Sequence, residues 1–365
     1  MSAPRTWQQR LLGAWQSRSA FTASLLPLAW VYGLLWWARA CAYRVGWRAS
    51  RRLPVPVVVV GNVIVGGAGK TPTVIGLVRH LQHRGWRPGV ISRGHGRDIS
   101  DCVLVTESTE SRLAGDEPLL IARATGVPLV AGRDRWSAGR HLLQQHPEVD
   151  VIVSDDGMQH WALQRDVTVV VFDARGLGNG WLLPAGMLRE PWPPGRLGQE
   201  TMLVLQTTGT ANKPQAPTPA NALPGAYLAS RCLGDTAYAA SEDTAPMAMW
   251  AKPGRTAIGA FAGIAQPDAF FSMLRVQGLR LRHAAPLNDH SDASAMLALI
   301  AQHPDCDLWL CTEKDAVKLF PLLRGTPEAT RVWAVPLQQT LPAELLQAID
   351  GALDALSCRH GQQTA

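Results

Sequence analysis

A glycine-rich segment, Gly66-Gly67-Ala68-Gly69-Lys70-Thr71, constrains the fold of this chain more than any other feature. It follows the apolar run Val55–Val60 and precedes apolar residues at helical spacing, so a strand leads through the segment into a helix. A P-loop has this arrangement, because glycines let backbone N–H groups turn toward phosphate oxygens and the helix N-terminus attracts anions. Lys70 would reach the β- and γ-phosphates, and Thr71 would offer its hydroxyl to Mg²⁺. The segment therefore predicts nucleotide binding within an α/β fold.

The beginning of this loop departs from the usual P-loop pattern. Glycine is usual five residues before the Gly69-Lys70 pair, and this chain has Ile64 there, followed by Val65. We include both residues in the predicted nucleotide-binding loop, which is therefore a variant. Membrane-associated P-loop ATPases of the partitioning class carry a second lysine in this region. The two apolar residues argue against that class.

Short apolar runs separated by glycine turns and amphipathic stretches continue along the chain. Runs that are apolar nearly throughout are typical of strands buried on both faces of a mostly parallel sheet covered by helices. The predicted strands after Val55–Val60 are Gly89–Ser92, Pro128–Ala131, Val149–Ser154, Val167–Asp173 and Met202–Gln206. Further strands are predicted at Thr256–Gly263, Leu279–Ala284, Leu308–Thr312 and Arg331–Pro336, with helices near Pro267–Gln277 and Asp292–Gln302.

Composition divides the chain into parts. Residues 207–225 are rich in Thr, Pro, Ala and Asn and lack periodicity, which is typical of a linker. We expect an N-terminal helical segment at 1–50, a P-loop core domain at 51–206, a linker at 207–225, a second α/β domain at 226–340, and a C-terminal helix and tail at 341–365.

The amino-terminal part contains no acidic residue before Asp98. Its uncharged run 20–38 is rich in Leu and Trp, is flanked by arginines, and is interrupted by Pro27 and Gly33. A transmembrane helix needs about 20 apolar residues, so the run is barely long enough to span a bilayer. Tryptophan beside arginine suits the headgroup layer, which favours a helix lying on anionic lipid. A helix packed on the main domain is the alternative, and a transmembrane span comes third.

The six cysteines show neither a Cys-x-x-Cys pair nor histidine partners at metal spacing. This usage fits a reducing compartment and a protein without structural zinc. Cytoplasmic chemistry is therefore expected.

Acidic residues follow the predicted strand Val149–Ser154 as Asp155-Asp156-Gly157. Carboxylates at the carboxyl end of a strand can hold Mg²⁺ in P-loop proteins, although aspartates before glycine also form turns. Asp116-Glu117 before proline is an ordinary helix start, and Asp289-His290 alone is more often solvated. Arginines can clamp phosphates bidentately or be exposed to solvent, and the candidates are Arg133, Arg135 and Arg189. These residue patterns leave both interpretations open.

The order of the motifs along the chain resembles that of the tetraacyldisaccharide 4'-kinases of lipid A biosynthesis. The resemblance covers most of the chain and includes the amino-terminal Leu-Pro-Leu-Ala-Trp-Val-Tyr-Gly segment. The motifs are Val60-Gly61-Asn62, Gly66 to Pro72, Ser92-Arg93-Gly94-His95-Gly96, Gly115-Asp116-Glu117-Pro118, Asp155-Asp156-Gly157-Met158-Gln159-His160, Leu183-Pro184-Ala185-Gly186-Met187-Leu188-Arg189-Glu190, Asp289-His290 and Thr312-Glu313-Lys314-Asp315-Ala316-Val317-Lys318.

The resemblance implies a two-domain kinase with a P-loop NTPase-like, mostly parallel sheet, helices on both faces, a smaller second domain and a membrane-associated N-terminal helix. ATP and Mg²⁺ would bind between the domains. The substrate would be a tetraacylated glucosamine disaccharide 1-phosphate and the product lipid IVA, made at the cytoplasmic face of the bacterial inner membrane by a monomer that binds no nucleic acid.

The resemblance also implies roles for particular residues. Lys70 and Thr71 would bind the phosphates and Mg²⁺, with Glu117, Asp155 and Asp156 completing the metal site. Asp116 would be the general base, tuned by His290 from the second domain; a sugar hydroxyl is a weak nucleophile and needs a proton acceptor. The implied substrate-binding residues are Arg133, Gln159, His160 and Arg189.

Other functions stay open for a P-loop chain of this kind. A ligase or GTPase would carry an Asn/Thr-Lys-x-Asp-like motif that reads the base, and Thr312-Glu313-Lys314-Asp315 is superficially similar to one. A nucleotide-binding scaffold without turnover is disfavoured by Lys70, Thr71 and the paired carboxylates.

Overall fold

The computed structural model describes residues 7–94, 97, 101–106, 109–194, 200–210, 221, 223–251, 256–289 and 291–361. Within this part of the chain the strands form two sheets. The larger sheet has the order β15-β8-β7-β6-β1-β5-β2-β4-β3, and the smaller one has the order β10-β9-β14-β13-β11-β12. The strands are β1 Val57–Gly61, β2 Pro88–Ser92, β3 Val103–Val105, β4 Leu129–Ala131, β5 Val151–Asp155, β6 Val167–Phe172, β7 Thr201–Thr210, β8 Tyr227–Leu233, β9 Thr236–Ala239, β10 Thr244–Pro246, β11 Ile258–Ala262, β12 Leu281–Pro286, β13 Leu308–Thr312, β14 Val332–Val335 and β15 Leu337–Thr340.

The helices cover both sheets. They are α1 Trp7–Ala14, α2 Ala20–Ser24, α3 Leu26–Arg44, α4 Lys70–His83, α5 Ser111–Ala114, α6 Asp116–Thr125, α7 Arg135–Gln145, α8 Pro267–Val276, α9 Ala293–Gln302, α10 Glu313–Leu323 and α11 Ala343–Gly361. The predicted α/β class with a mostly parallel sheet is confirmed, and the structure has two such sheets among its described residues.

The centre of the larger sheet is parallel and fully buried, as its apolar runs predict. In β1, Val58 and Val60 contact the core beneath α4, whereas Val57 and Val59 contact the core beneath α7. Side chains of a strand alternate between faces, so a run of valines supplies both cores. Val60 of β1 is aligned with Asp155 of the neighbouring β5. The loop after β1 and the carboxylates after β5 therefore lie at the same edge of the sheet.

The smaller sheet carries helices on opposite faces. Phe270, Phe271 and Leu274 of α8 pack on one face, and Met296 of α9 and Leu319 of α10 lie in the core on the other. This region is the predicted second domain.

Two strands differ from the predicted domain division. Tyr227–Leu233 and Leu337–Thr340, both within the predicted second domain 226–340, pair with each other and extend the larger sheet. Strand β7 also runs to Thr210, into the predicted linker. The C-terminal helix α11 packs on the first domain through Leu345, Ile349 and Leu353. Periodicity within a segment does not reveal which distant strand it pairs with, and this pairing moves both strands to the first domain.

Helix α3 packs on the first domain along one stripe and exposes apolar side chains on the other. Ala29 and Ala40 are buried, and Trp36 meets Trp161 edge to face at 5.3 Å between ring centroids. The exposed side chains of α3 are Leu28, Trp30, Val31, Leu34, Leu35 and Trp37. Among the described helices, none is both long enough and apolar enough to cross a bilayer. One face of α3 is therefore packed on the main domain, as the second alternative predicted. Membrane association of the exposed face stays a prediction.

Candidate active site

Hydrogen bonds to the Asn62 side chain hold the phosphate loop in its conformation. The Asn62 side-chain amide donates to the carbonyl oxygens of Ile64 at 2.8 Å and Gly66 at 3.4 Å, and its oxygen accepts from Lys70 Nζ at 3.2 Å. Gly66 and Gly69 have φ angles of +98° and +91°, which glycine adopts without strain. Lys70 begins α4 directly after Gly69. The predicted strand, loop and helix are thus present, with the lysine at the helix N-terminus.

The structure explains why Ile64 can replace the usual glycine. Its side chain is fully buried in the core, and its backbone bridges antiparallel to Leu188. Val65 N–H donates to the Met187 carbonyl at 2.9 Å, which adds a second link to the same segment. The buried Ile64 side chain therefore fixes the first part of the loop, where the usual P-loop has a glycine. Ile64 and Val65 support the loop's shape.

Asp155 ends β5 and Asp156 follows it beside the phosphate loop, where the carboxyl ends of parallel strands form ligand sites. Asp155 is buried and accepts a hydrogen bond from Ser92 Oγ at 2.9 Å through Oδ2. Burial raises the pKa of Asp155 to about 7, and the negative charges of Glu117 and Asp156 add to the shift. Within the described residues, Asp155 Oδ1 has no hydrogen-bond partner. This concentration of carboxylates is suited to a cation.

Asp156 lies among positive charges. Its Oδ1 is 3.4 Å from Lys70 Nζ and 3.9 Å from Arg189 NH1, and its backbone carbonyl accepts from Arg135 NH2 at 3.1 Å. Burial by itself would raise the pKa of Asp156, but the charge of Lys70 and those of the neighbouring arginines outweigh it and lower that pKa. Its backbone has φ of +49°, a strained value for a residue with a side chain. Asp156 is therefore ionised and held in one place.

The second domain contributes two lysines to this site. Lys318 Nζ lies 2.8 Å from Asp116 Oδ2, and Lys314 Nζ lies 2.8 Å from Asp289 Oδ1 and 4.0 Å from Glu117 Oε1. The lysines are four residues apart on α10, so they share a face of the helix. Asp116, only 7% exposed, and Glu117 begin α6. His290 lies outside the described residues, so its predicted pairing with Asp116 stays a prediction.

The segment Thr312-Glu313-Lys314-Asp315 is a helix cap. Thr312 Oγ1 accepts from the Asp315 N–H at 3.3 Å and donates to Asp315 Oδ2 at 2.6 Å, which caps α10. The Asp315 carboxylate also accepts from Gly263 N–H at 3.1 Å. A motif that reads a base needs its carboxylate available to the ligand. In this chain the Asp315 carboxylate is bonded within the protein, so the segment resembles a GTPase motif in sequence but serves as a helix cap.

The predicted substrate-binding residues differ in their surroundings. Gln159 Nε2 donates to the Asn62 carbonyl at 3.0 Å and to Glu190 Oε1 at 2.8 Å. His160 Nε2 lies 3.2 Å from Asp134 Oδ1. Arg189 joins the phosphate-loop cluster through Asp156, whereas Arg133 is exposed. Gln159 and His160 thus contact other residues of the protein, and the substrate roles of all four stay predictions.

Several residues of the site were not singled out for a role from the sequence. They are Asn62, Ser92, Glu190, Lys314 and Lys318, which lie in motifs quoted above, together with Arg231. Burial raises the pKa of Glu190 to about 7, and Gln159 partly offsets this by donating a hydrogen bond. The two lysines are four residues apart, a spacing that places side chains on one face of a helix and could have found them, but no helix was predicted after the strand Leu308–Thr312. Arg231 gave no comparable signal.

Comparison with known proteins agrees with this geometry. The family model described as LpxK, tetraacyldisaccharide-1-P 4'-kinase, matches residues 21–354. A tetraacyldisaccharide 4'-kinase of Acidovorax sp. (strain JS42) is 47% identical over 356 residues, covering 97% of each chain. One of Polaromonas naphthalenivorans (strain CJ2) is 45% identical over 365 residues, covering 98% of this chain and 99% of that one.

A solved structure shares the fold over most of this chain. It is the "apo" form of LpxK from Aquifex aeolicus in complex with ATP, which is 27% identical and covers 91% of this chain and 99% of its own, with a TM-score of 0.72. The match with the family model extends over most of the described residues of both domains. On sequence and fold together, the chain belongs to the tetraacyldisaccharide-1-P 4'-kinase family.

Proposed function

We propose that this protein transfers the γ-phosphate of ATP to the 4'-hydroxyl of a tetraacylated glucosamine disaccharide 1-phosphate, giving lipid IVA in lipid A biosynthesis. The observation that carries the proposal is the convergence of Lys70, the Asp155-Asp156 pair and Asp116 at one edge of the parallel sheet. Relatives named tetraacyldisaccharide 4'-kinase and the ATP complex of the Aquifex aeolicus protein support the same substrates.

The phosphate loop would hold the triphosphate of ATP. Backbone N–H groups at the start of α4 and the ammonium group of Lys70 supply positive charge where the β- and γ-phosphates would lie. Asn62 holds Lys70 Nζ in place through a 3.2 Å hydrogen bond. Phosphoryl transfer depends mainly on positioning and on charge stabilisation. The prearranged lysine supplies both.

The carboxylate cluster fits Mg²⁺. Asp155 is buried with one oxygen unpartnered among the described residues, and the nearby charges of Glu117 and Asp156 make a cation favourable there. Carboxylate and hydroxyl oxygens are the ligands that Mg²⁺ prefers. Thr71, Asp155, Asp156 and Glu117 would hold the ion, directly or through water. The ion would neutralise negative charge on the β- and γ-phosphates.

The raised pKa of Asp155 predicts a pH dependence of metal binding. Its carboxyl group must lose a proton to bind a cation, and its pKa is about 7, so protons compete with the metal below that pH. Lowering the pH from about 8 to about 6 should weaken binding roughly tenfold. Mn²⁺ binding followed by electron paramagnetic resonance measures this. Asp155→Asn should weaken binding and remove the dependence, and constant wild-type affinity across this range would contradict the prediction.

Asp116 would accept the proton of the sugar hydroxyl. It is a buried carboxylate at the start of α6, and Lys318 Nζ lies 2.8 Å from it. Lys318 places positive charge beside the carboxylate and orients it from the second domain. Because base and lysine belong to different domains, movement of the domains would control when the base is correctly placed.

The test of the proposed reaction uses the purified protein, γ-labelled ATP, Mg²⁺ and the tetraacyldisaccharide 1-phosphate. Chromatography of the lipid phase should show label on the disaccharide. Label released only as inorganic phosphate, or transfer that prefers GTP, would instead favour an ATPase, a GTPase or a ligase acting on another substrate.

The exposed apolar face of α3 supports a location at the inner-membrane surface. We place that face on anionic lipid at the cytoplasmic side, with the neighbouring arginines contacting headgroups. The other face links the helix to the site, because Tyr32 Oη donates to the Arg189 carbonyl at 2.6 Å and Arg39 NH2 donates to the Gln159 carbonyl at 2.8 Å. A helix held in this way would present the site to a lipid substrate.

Polar substitutions on the exposed face should weaken membrane binding. Leu34 and Trp37 are 62% and 58% exposed, so Leu34→Ser with Trp37→Ser should leave the fold intact. Each apolar side chain buried in lipid contributes about 1.5–3 kcal/mol, so partitioning should fall at least tenfold. Co-sedimentation with anionic vesicles measures this. Leu322→Ser, at a residue 57% exposed on α10, is the control, and equal binding of both variants would contradict the membrane proposal.

A further inference from the structure

Strands β8 and β15 connect the domains, and their side chains contact the phosphate loop and the helix α4 that follows it. The chain leaves the larger sheet after β8 and returns to it at β15, and Arg231 of β8 lies opposite Gln339 of β15. Arg231 Nε donates to Gln339 Oε1 at 3.0 Å, and Gln339 Nε2 donates to Thr73 Oγ1 on α4 at 2.7 Å. The connection between the domains is thus joined by side chains to the nucleotide-binding helix.

The Arg231 guanidinium group lies directly against the loop. Its NH2 donates to the Ala68 carbonyl at 2.5 Å. A Cβ atom added to Gly69 would lie 1.5 Å from the same NH2 and 2.3 Å from Cζ, so the space beside this glycine is filled by the guanidinium. Gly69 is the N-cap of α4. Arg231 therefore places a second cation, besides Lys70, at the helix N-terminus.

This position is unfavourable for an unpaired cation. The N-terminus of a helix carries partial positive charge and unpaired N–H groups, which attract anions and repel cations. Burial also lowers the pKa of Arg231 to about 10, and the negative charge of Asp173 opposes that shift without cancelling it. Asp173 is already engaged by Arg175 NH2 at 2.7 Å and Gln266 Nε2 at 3.3 Å. Among the described residues, no carboxylate lies within ion-pair distance of Arg231, whose hydrogen bonds go to neutral groups.

An anion between the helix N-terminus and the guanidinium group would offset both the repulsion by the helix N-terminus and the burial of an unpaired positive charge. It would accept hydrogen bonds from the loop N–H groups and from Arg231, whose planar group suits phosphate oxygens. We propose that Arg231 is a nucleotide-binding residue that contacts the phosphates of a nucleoside di- or triphosphate together with the phosphate loop. This inference rests on the proposed function and adds a residue from the strand that connects the domains.

The proposal has a direct consequence for the domains. An arginine that binds phosphate while its Nε stays bonded to Gln339 would connect the occupied nucleotide site to both connecting strands. Nucleotide binding would then restrict the orientation of the second domain, which carries Lys314 and Lys318. The lysines of α10, which already lie against α6 here, would then be held there when ATP is bound.

The test compares Arg231→Gln and Arg231→Lys with Arg84→Gln in the full chain. Arg84 lies just beyond the C-terminal end of α4, half exposed and paired with Asp350, which makes it a matched control. Binding of ATP, ADP and adenosine is measured by displacement of a fluorescent ATP analogue. Arg231→Gln should weaken ATP and ADP about tenfold or more and adenosine less than about twofold, because only the charge-assisted bonds to phosphate are lost. Arg231→Lys should recover part of the affinity, and the control should bind like the wild type.

Three results would overturn the proposal. They are unchanged affinity of both Arg231 variants for ATP and ADP, an equal loss for adenosine and ATP, and a lysine variant that folds like the wild type yet binds no better than the glutamine variant. Thermal unfolding of each variant separates loss of the fold from loss of binding, and the lysine variant keeps the test valid if the glutamine variant is unstable. If Arg231 proves neutral while Lys70→Ala abolishes transfer, the proposed function stands and only this inference fails.

Discussion

Replacing Lys70 by alanine should abolish phosphoryl transfer, lowering kcat about 10³-fold or more, because charge stabilisation at the transferred phosphate is most of what such an enzyme supplies. The structure adds a second reason. Lys70 Nζ lies 3.4 Å from Asp156 Oδ1, so the substitution also leaves a partly buried carboxylate without its nearest cation. Repulsion between Asp156 and the phosphates would then increase. Transfer of label to the lipid under saturating ATP measures the effect.

Controls for this experiment separate charge from folding. Lys70→Arg retains the charge but cannot reproduce the geometry of the ammonium group, so it should recover only part of the activity. Arg84→Ala removes a cation next to the other end of α4 and should leave kcat unchanged. Wild-type turnover in Lys70→Ala would refute the assignment of the phosphate loop.

Replacing Asp116 by alanine should lower kcat about 10²- to 10⁴-fold, the range expected for loss of a general base. The KM for ATP should change little, because Asp116 lies beside Lys318 at the start of α6 and is assigned to the acceptor hydroxyl. Steady-state kinetics with ATP and lipid varied separately check this. The matched control is Asp354→Asn, since Asp354 has a 62% exposed side chain on α11.

The opposite pattern would give Asp116 a different role. A large rise in the KM for ATP with kcat nearly unchanged would make it a ligand of the nucleotide or metal instead of the base. Lys318→Met supplies an independent check. Removing the cation 2.8 Å from the carboxylate should move the acidic limb of the kcat profile to higher pH, because a neighbouring positive charge favours the ionised form. A profile that does not move would show that Lys318 does not tune the base.

The second domain contacts the proposed catalytic residues through α10. Its two lysines contact a pair of acidic residues at the start of α6, and Ala265 approaches the loop at Gly67. Carboxylates clustered around Mg²⁺ and phosphate need surrounding cations, and α10 supplies them from across the domain boundary. This arrangement gives a physical reason for a kinase of this family to have two domains.

Local patterns predicted the central strands and the phosphate loop well. Continuous valine runs appear as fully buried strands, and the Gly-Lys-Thr segment begins a helix where expected. The edge strand Val103–Val105 and the connecting strands β8 and β15 were not predicted, because their side chains are only partly buried and their apolar pattern is weak. The face of α3 that packs against Trp161 was equally hidden, since a helix apolar on all sides does not show which side faces the protein.

The sequence by itself determined the α/β class, the phosphate loop, the acidic residues at the end of β5 and the identity of the family, since each of these depends on short motifs and, for the family, on the order of those motifs along the chain. Only the tertiary structure decided that Lys318 lies against Asp116, that Arg231 lies against Gly69 and that β15 pairs with β8. These contacts join residues far apart in sequence. They form only when packing of the two cores fixes the relative positions of the strands and helices. The spacing of residues along the chain does not reveal those positions.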